Sequence, residues 1–280
     1  MDSIQVQSFL NGDQSALREL VEKHYTYTFN ICLKMLYSHH DAEDVNNEIW
    51  IKTISKLSSF NFRSSFKTWL YRIAVNHILD MNKKRVELAI SGGFDGYSDN
   101  LASIPTNELN GEELIILRES VEEAKISCMS GMLMCLDREQ RLIYVMGDIF
   151  NIDHSLGSEI FGLSSSNYRK KLSRARGDMN NFMNDQCSLI NKNNPCRCSK
   201  KTKGFINAGY VDPDKLEFTA NYKVKIYDRL ADKSDQLDAL SSELHTKLFR
   251  AHPFEEENVK EALDKWFSSA ELRNLLQLDS

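Results

Sequence analysis

The sequence predicts an all-α protein with two helical domains and a smaller helical C-terminal extension. Apolar residues recur at steps of three and four along most of the chain, as they do on the buried face of an amphipathic helix. No segment alternates between apolar and polar residues for long enough to indicate a sheet. Gly and Pro number 12 and 4 among 280 residues, which is few for a chain built from many tight β-turns.

The composition is that of a folded protein. Hydrophobic residues make up 41% and charged residues 27% of the chain, which excludes wholesale disorder. The apolar runs are far shorter than a membrane helix requires. The N-terminal sequence has neither the basic segment nor the apolar segment of a secretory signal. We therefore expect a cytoplasmic protein with no membrane partner.

Three helices are predicted in the first domain, residues 1–85. The first covers residues 13–37, with Asp13 as its N-cap. Asp41 is predicted to cap the second helix, and the third runs from residue 66 to about residue 85. The intervening segment carries no helical pattern, so it is predicted to be a loop.

The remainder of the chain divides by composition. Residues 86–110 concentrate Gly, Ser, Asp and Asn, which is typical of a flexible linker. Helical periodicity resumes in residues 111–183, the second domain. A Cys-bearing linker at 184–221 and a helical extension at 222–280 follow.

Residues 155–176, SLGSEIFGLSSSNYRKKLSRAR, have the pattern of a helix-turn-helix. A short helix, a turn at Gly162 and a Ser cap precede a second helix rich in Arg and Lys. In this motif the second helix enters the major groove of DNA. Asn167 and Arg169 are the candidates for base contacts, and Lys171 is a candidate for a phosphate contact. The full set of candidate DNA-binding residues on this helix is Ser165, Asn167, Arg169, Lys170, Arg174 and Arg176.

Charge is distributed unevenly along the chain. Residues 204–280 carry 10 Lys and Arg against 15 Asp and Glu, a net charge of −5, which leaves 25 of each sign in residues 1–203. Within this neutral part, basic residues cluster at 63–85 and at 164–178. Two such clusters indicate two phosphate-contacting surfaces; the alternative is a pair of solvated helix faces.

Two pairs of sequence strings resemble one protein family. DAEDVNNEIWIKTISKLSSF and SSFKTWLYRIAVNHILDMNKKR resemble region 2 of bacterial sigma factors of the sigma-70 family, extracytoplasmic-function type. LMCLDREQRLIYVMGDIF and SSSNYRKKLSRARGDMNNFM, within residues 133–182, resemble region 4. The resemblance implies an alternative sigma factor, with no enzymatic activity and no cofactor.

The resemblance also implies partners. They are promoter DNA and core RNA polymerase, contacted at the β′ clamp and the β flap, and an anti-sigma factor is a further candidate. The resemblance assigns polymerase binding to the acidic helix that carries Asp41, Glu43, Asp44 and Glu48. The alternative interpretation is a helix-turn-helix transcriptional regulator with a thiol- or metal-sensing tail.

The loop at residues 58–65 combines aromatic rings, an amide and a cation. Removing a base from the DNA stack costs a few kcal/mol, and stacking on an aromatic ring returns roughly 1–3 kcal/mol. The resemblance implies that this loop captures the flipped base of the minus-ten element; alternatively, Phe60 and Phe62 plug the helix junction. The minus-ten candidates are Phe60, Asn61, Phe62, Arg63, Trp69, Asn76, Lys83, Lys84 and Arg85.

Three of the six cysteines, Cys187, Cys196 and Cys198, lie close together beside basic residues. A positive neighbourhood lowers the pKa of a thiol, so a redox or metal switch is one hypothesis and a structural role is the other. The C-x8-C-x-C spacing matches no zinc template well, and a fourth ligand, such as His245 or His252, would have to come from elsewhere in the chain. The acidic extension is predicted either to inhibit by lying against the basic recognition helix or to serve as a required scaffold.

Overall fold

The structure of the protein is a computed structural model that describes residues 2–83, 87–88, 90, 92–216, 218, 263–264 and 266–276. In these residues the regular elements are helices, accompanied by a single isolated bridge between Cys187 and Cys196. The predicted all-α class is confirmed. None of the helices in the described ranges is long and apolar enough to cross a membrane.

The helices fall into two compact units, the first containing residues 1–82, 152–168 and 255–280 and the second residues 83–151 and 169–254. The helices are α1 (Asp2–Leu10), α2 (Gln14–Leu36), α3 (His39–Ser55), α4 (Phe66–Asp80), α5 (Gly93–Ser103), α6 (Gly111–Ile116), α7 (Arg118–Cys135), α8 (Arg138–Tyr144), α9 (His154–Phe161), α10 (Ser165–Gln186), α11 (Cys198–Asn207) and α12 (Ala270–Leu276). A 3₁₀ turn at Leu57–Ser59 and a π-helical turn at Val145–Ile149 complete the set.

Helix α2 forms the centre of the first unit. The Asp13 carboxylate accepts a hydrogen bond from the backbone N–H of Ser15 at 3.0 Å, so the predicted N-cap is confirmed. The helix ends where Tyr37 adopts a left-handed conformation and donates its N–H to the Leu33 carbonyl at 2.9 Å. The apolar stripe of α2 packs against α1, α3 and α4.

The boundaries of α3 and α4 differ from the prediction. Ser38, not Asp41, is the N-cap of α3, because its hydroxyl accepts the backbone N–H of Asp41 at 3.2 Å. Helix α4 begins after its Ser65 cap and ends at Asp80, where Met81 becomes extended. It is therefore shorter than the predicted helix, which continued to about residue 85.

Part of the segment predicted to be a flexible linker is a packed helix. Tyr97 and Leu101 on α5 are buried, and the Tyr97 hydroxyl donates to the Cys128 carbonyl on α7 at 2.9 Å. Gly131 faces the Tyr97 ring, and a Cβ at Gly131 would lie 2.5 Å from the Tyr97 hydroxyl. This close approach fixes α5 on α7.

The Cys-bearing segment also contains a packed helix, α11. Its Lys201 ammonium donates to the carbonyl oxygens of Leu101, at 2.9 Å, and Ile104. Gly204 allows close contact with the chain after α5, since a Cβ there would lie 2.7 Å from the Pro105 carbonyl. Most of the predicted extension, including His245 and His252, lies outside the described residues.

Candidate nucleic-acid interface

The 58–65 loop separates its two phenylalanines by burial. Phe60 is 4% exposed, and its ring centroid lies 6.0 Å from that of Phe66 and 5.2 Å from that of Trp69. Phe62 is 40% exposed, with its ring 4.7 Å from Phe60. Phe60 therefore plugs the helix junction, as the structural alternative predicted, whereas Phe62 presents a ring to solvent.

The backbone of the loop turns the Phe62 ring outward. Phe62 adopts a left-handed conformation with φ 58°, which is strained for a bulky L-residue. The Asn61 side-chain oxygen accepts the backbone N–H of Arg63 at 3.2 Å and closes a local turn. Asn61 and Arg63 are exposed beside the ring.

Helix α4 extends the polar surface beyond the loop. Trp69 is half-buried and Asn76 is exposed, and their seven-residue spacing places both on one face of the helix. Lys83 is exposed after the end of α4, whereas Lys84 and Arg85 lie outside the described residues. The loop, Trp69 and Asn76 thus form one aromatic and polar stretch.

Two other cations of the 63–85 cluster are bound within the protein. The Lys67 ammonium lies 5.1 Å from the Tyr27 ring and 5.5 Å from the Tyr71 ring, a cation–π arrangement. The two tyrosine rings stack at 4.8 Å, and burial raises the pKa of each phenol. Arg72 donates to the Glu159 carbonyl at 3.1 Å, which holds α9 against α4.

The turn of the helix-turn-helix has the predicted layout. The Asp153 carboxylate caps α9 by accepting the N–H groups of Ser155 and Leu156 at 2.8 and 3.1 Å. Gly162 ends α9 in a left-handed conformation, φ 64°, which glycine adopts without strain. Gly157 is required by packing, because a Cβ at that position would lie 2.3 Å from the Tyr168 ring.

The candidate residues at the start of α10 are accessible. The Ser164 hydroxyl accepts the backbone N–H of Asn167 at 3.2 Å and caps the helix. Ser165 and Asn167 are exposed, while Tyr168 is buried. The N-terminal turn of a recognition helix is the part that reaches base edges in the major groove.

Four of the five cations of α10, Arg169, Lys170, Arg174 and Arg176, are exposed, and Lys171 is half-buried. Lys171 pairs with Glu139 at 2.6 Å, and the Arg176 guanidinium donates to both Asp148 oxygens, with Nε at 2.8 and 2.7 Å. The structure therefore gives Lys171 and Arg176, both predicted to contact DNA, intramolecular partners that hold α10.

The acidic side chains predicted to bind polymerase lie along α3. Asp44 and Glu48 are exposed, and Asp41 and Glu43 are half-buried. Glu48 also lies 3.0 Å from the Nε2 atom of His77. Burial is the main cause that lowers the pKa of His77.

A fourth thiol joins the three C-terminal cysteines. A backbone bridge pairs Cys187 with Cys196, and Cys198 begins α11, which packs on α7. Burial raises the pKa of the Cys128 thiol on α7, and the charges of the nearby Cys198, Cys187 and Cys196 thiols raise it further. A single cysteine 59 residues before Cys187 carries no spacing signal of this contact.

Burial, not positive charge, dominates the acidity of these thiols. It raises the pKa of Cys187 to about 11 and that of Cys198 to about 12, and neighbouring thiolates add to the rise. The prediction that basic neighbours lower these pKa values is therefore wrong. Across the described ranges, no three His, Cys, Asp or Glu side chains are grouped so that they could hold a metal ion.

Comparison with known proteins finds similarity to sigma factors in part of the chain. The family model for Sigma-70 region 2 matches residues 20–86, which include α3, the 58–65 loop and α4. The chain is 34% identical over 98 residues to the ECF RNA polymerase sigma factor SigW of Bacillus subtilis, covering 32% of this chain and 52% of the relative. Residues 20–86 are therefore similar to region 2 of sigma-70 family sigma factors.

Two further relatives match this chain. It is 23% identical over 176 residues to the ECF RNA polymerase sigma factor SigE of Mycolicibacterium smegmatis, covering 61% of this chain and 64% of the relative. It is 39% identical over 75 residues to the ECF RNA polymerase sigma-E factor of Escherichia coli, covering 27% and 39%. All three relatives are ECF RNA polymerase sigma factors, and the chain spans less than two thirds of the length of each of them.

Proposed function

We propose that this chain is an alternative sigma factor that binds core RNA polymerase and directs initiation at specific promoters. The observation that carries the proposal is the exposed Phe62 ring beside Asn61, within the stretch that matches region 2. Because a flipped base needs a stacking partner and a hydrogen-bonding group, this pair suits capture of a minus-ten base. Such a protein would act in the cytoplasm, where polymerase and promoter meet.

In this proposal each domain has one task. Residues 1–85 bind polymerase and open the minus-ten element, and residues 111–183 read the minus-thirty-five element through α10. Residues 86–110 connect these two domains, residues 184–221 connect the second domain to residues 222–280, and residues 222–280 regulate. Contacts with the β′ clamp through α3, with the β flap, and with an anti-sigma factor belong to the same proposal.

Run-off transcription with core polymerase, on the promoter upstream of the chain's own gene, tests the function. We expect transcripts only when the chain is added. Permanganate footprinting then tests the loop: Phe62→Ala should abolish reactivity of the minus-ten thymines while closed-duplex binding remains. Tyr210→Ala, which removes another exposed aromatic ring, is the matched control and should leave the footprint unchanged.

One result would contradict the sigma assignment, and another would contradict only the role of the loop. Tight binding to promoter duplex without any complex with core polymerase would instead favour a simple helix-turn-helix regulator. Normal thymine reactivity in Phe62→Ala would remove the strand-opening role from the loop, although the sigma assignment would stand.

We propose a regulatory role for the thiol cluster, defined by Cys128, Cys187, Cys196 and Cys198. Four thiols are a donor set that Zn²⁺ accepts, and a cation would cancel the mutual repulsion of their thiolates. Because the described arrangement groups no three of them around a metal position, binding would require movement of the 187–198 segment toward α7. The raised thiol pKa values disfavour both oxidation and metal binding in this arrangement, because the thiolate is the reactive and the ligating form.

Zinc content measured on protein purified without chelator tests this role. We expect one zinc ion per chain, lost in Cys128→Ser and retained in Cys32→Ser, a control that alters a buried thiol of α2. A chain that is free of metal, and whose transcription is unchanged by the Cys128→Ser substitution, would assign the cluster a purely structural role.

A further inference from the structure

The described end of the chain folds onto the first unit. Leu263, Trp266 and Leu272 are 2%, 6% and 0% exposed, and Phe267, Leu275 and Leu276 are half-buried. Glu271, Arg273 and Asn274 are exposed on the opposite side of α12. The segment therefore has the form of an amphipathic ligand whose apolar face is covered.

Helix α2 supplies much of the surface beneath this segment. The Trp266 ring centroid lies 6.2 Å from that of Tyr25. The Arg18 guanidinium lies 5.3 Å from the centre of the Phe267 ring and forms an ion pair with Asp264. Aromatic packing, a cation–π contact and an ion pair thus join the two surfaces.

The same contact reaches α3. Helix α12 packs against α3, and the Tyr25 hydroxyl beneath Trp266 donates to the side-chain oxygen of Asn47 at 3.0 Å. Asn47 follows Glu43 by four residues and Asp44 by three, so the three side chains are neighbours on one face of the helix. The segment is seated beside the acidic side chains proposed to bind polymerase.

The sequence left two locations open for the acidic extension, against the basic recognition helix or docked as a scaffold. The contacts found for the described part of residues 263–276 include α2 and α3. In the described residues, Leu263, Trp266 and Leu272 bury apolar surface, and the ion pair between Arg18 and Asp264 adds to this contact.

We propose that residues 263–276 form an internal ligand of the α2–α3 surface and that core polymerase must displace this segment to bind there. The inference rests on the proposed sigma function, since it assigns regulation to the proposed polymerase-binding surface. When a surface is occupied for most of the time, its apparent affinity for a partner is the intrinsic affinity multiplied by the fraction of time for which the surface is free. Release of the segment should therefore increase the affinity for polymerase.

The test uses the full chain with two substitutions in the segment, Trp266→Ser and Leu272→Ser. Hydrogen exchange of residues 263–276 shows directly whether the segment has been released. Affinity for core polymerase is then measured by titration, and we expect it to rise by about tenfold or more if the segment occupies its site for roughly nine tenths of the time. Glu271→Gln, an exposed change on α12, is the matched control and should alter neither reading.

A second pair of substitutions reverses the charges of the ion pair and leaves the apolar side chains of the segment unchanged. Arg18→Glu should release the segment, and adding Asp264→Arg should restore both protection and the lower affinity, because the ion pair is re-formed with opposite signs. If Arg18→Glu instead altered polymerase binding directly, Asp264→Arg would not restore it, and this arm would count against the proposal.

Each other outcome is decisive. A released segment with unchanged affinity overturns the inference and leaves the sigma function intact. A released segment with lower affinity shows that the segment supports polymerase binding and likewise overturns it. Failure of the wild type and of every released variant to bind core polymerase at all would instead contradict the proposed function.

Discussion

The 58–65 loop and helix α10 both present polar and aromatic groups to solvent, but they support those groups differently. In the loop, exposed Phe62 rests on buried Phe60, and a strained backbone turns it outward. In α10, the backbone is regular, and exposed Arg174 stands one turn from Lys171 and two residues before Arg176, which are both tied to carboxylates. Each surface therefore pairs a supporting residue with an exposed one. Substituting the supporting residue should mainly lower stability, whereas substituting the exposed residue should mainly weaken DNA binding.

The largest effect should come from the supporting residue of the loop. Phe60→Ala removes a buried ring that contacts Phe66 and Trp69, so we expect the free energy of unfolding to fall by about 3–5 kcal/mol. Phe62→Ala should change it by less than about 1 kcal/mol, because that ring is 40% exposed. Urea unfolding of both variants measures the difference. Equal losses would show that the two rings are one packed unit and would remove the distinction between support and contact.

A second comparison concerns two glycines of the helix-turn-helix region. Gly157→Ala places a Cβ 2.3 Å from the Tyr168 ring, so we expect overpacking to lower the free energy of unfolding by about 1–3 kcal/mol. Gly177→Ala, in the interior of α10 with no atom within 4 Å of the new Cβ, should raise it by about 0.5–1 kcal/mol, because Ala restricts the unfolded chain. Thermal unfolding of the two variants tests the pair. A neutral Gly157→Ala would mean that Tyr168 can move aside.

The two arginines of α10 should separate binding from stability. Arg174→Ala removes an exposed cation, so binding to promoter duplex should depend less steeply on salt, by about one unit of slope, with stability unchanged. Arg176→Ala leaves Asp148 without its guanidinium partner and should lower the free energy of unfolding by about 1 kcal/mol, with the salt slope unchanged. Titrations at several salt concentrations and urea unfolding measure both. A reduced slope in Arg176→Ala would show that DNA displaces Asp148.

Local signals in the sequence predicted the helices and the motif well. Asp13 caps α2 through a hydrogen bond to a residue two positions away, and Gly162 ends α9 because glycine adopts the left-handed conformation without strain. Both features depend on local sequence, so both could be predicted. The helix at 93–103 could not, because its polar composition indicates a linker and only the approach of Gly131 to Tyr97 makes it a packed element. The end of α4 was also missed, since basic residues after Asp80 continue a helical composition but not the helix.

The candidate site was predictable to the same extent. The segment at residues 58–65 has no periodic pattern of apolar residues, so it is predicted to be a loop, and this accounts for the exposure of Asn61, Phe62 and Arg63. The division between Phe60 and Phe62 depends on packing against Phe66 and on a positive φ, which residue type does not encode. The partners of Arg176 and of Cys128 are likewise distant in sequence, at Asp148 and near Cys198. Such long-range contacts decide which members of a basic or thiol cluster stay available.

The smallest effect should be a pH dependence of stability that arises from His24, a buried residue that contacts Phe66 next to the loop. His24 is buried, its ring lies 5.5 Å from that of Phe66, and burial lowers its pKa, although Asp2 at 3.0 Å from Nε2 opposes the shift. Because the unfolded chain then binds a proton more readily than the folded one, stability should fall as the pH drops below about 6.5.

Urea unfolding between about pH 8 and pH 5.5 measures this fall. His24→Gln should reduce it, and His154→Gln, which alters an exposed ring at the start of α9, should leave it intact. Asp2→Asn removes the group that opposes the lowered pKa, so the fall should become steeper and extend to lower pH. A shallower fall in Asp2→Asn would mean that His24 is protonated in the folded chain. The ring packed against Phe66 would then be an imidazolium and not a neutral imidazole.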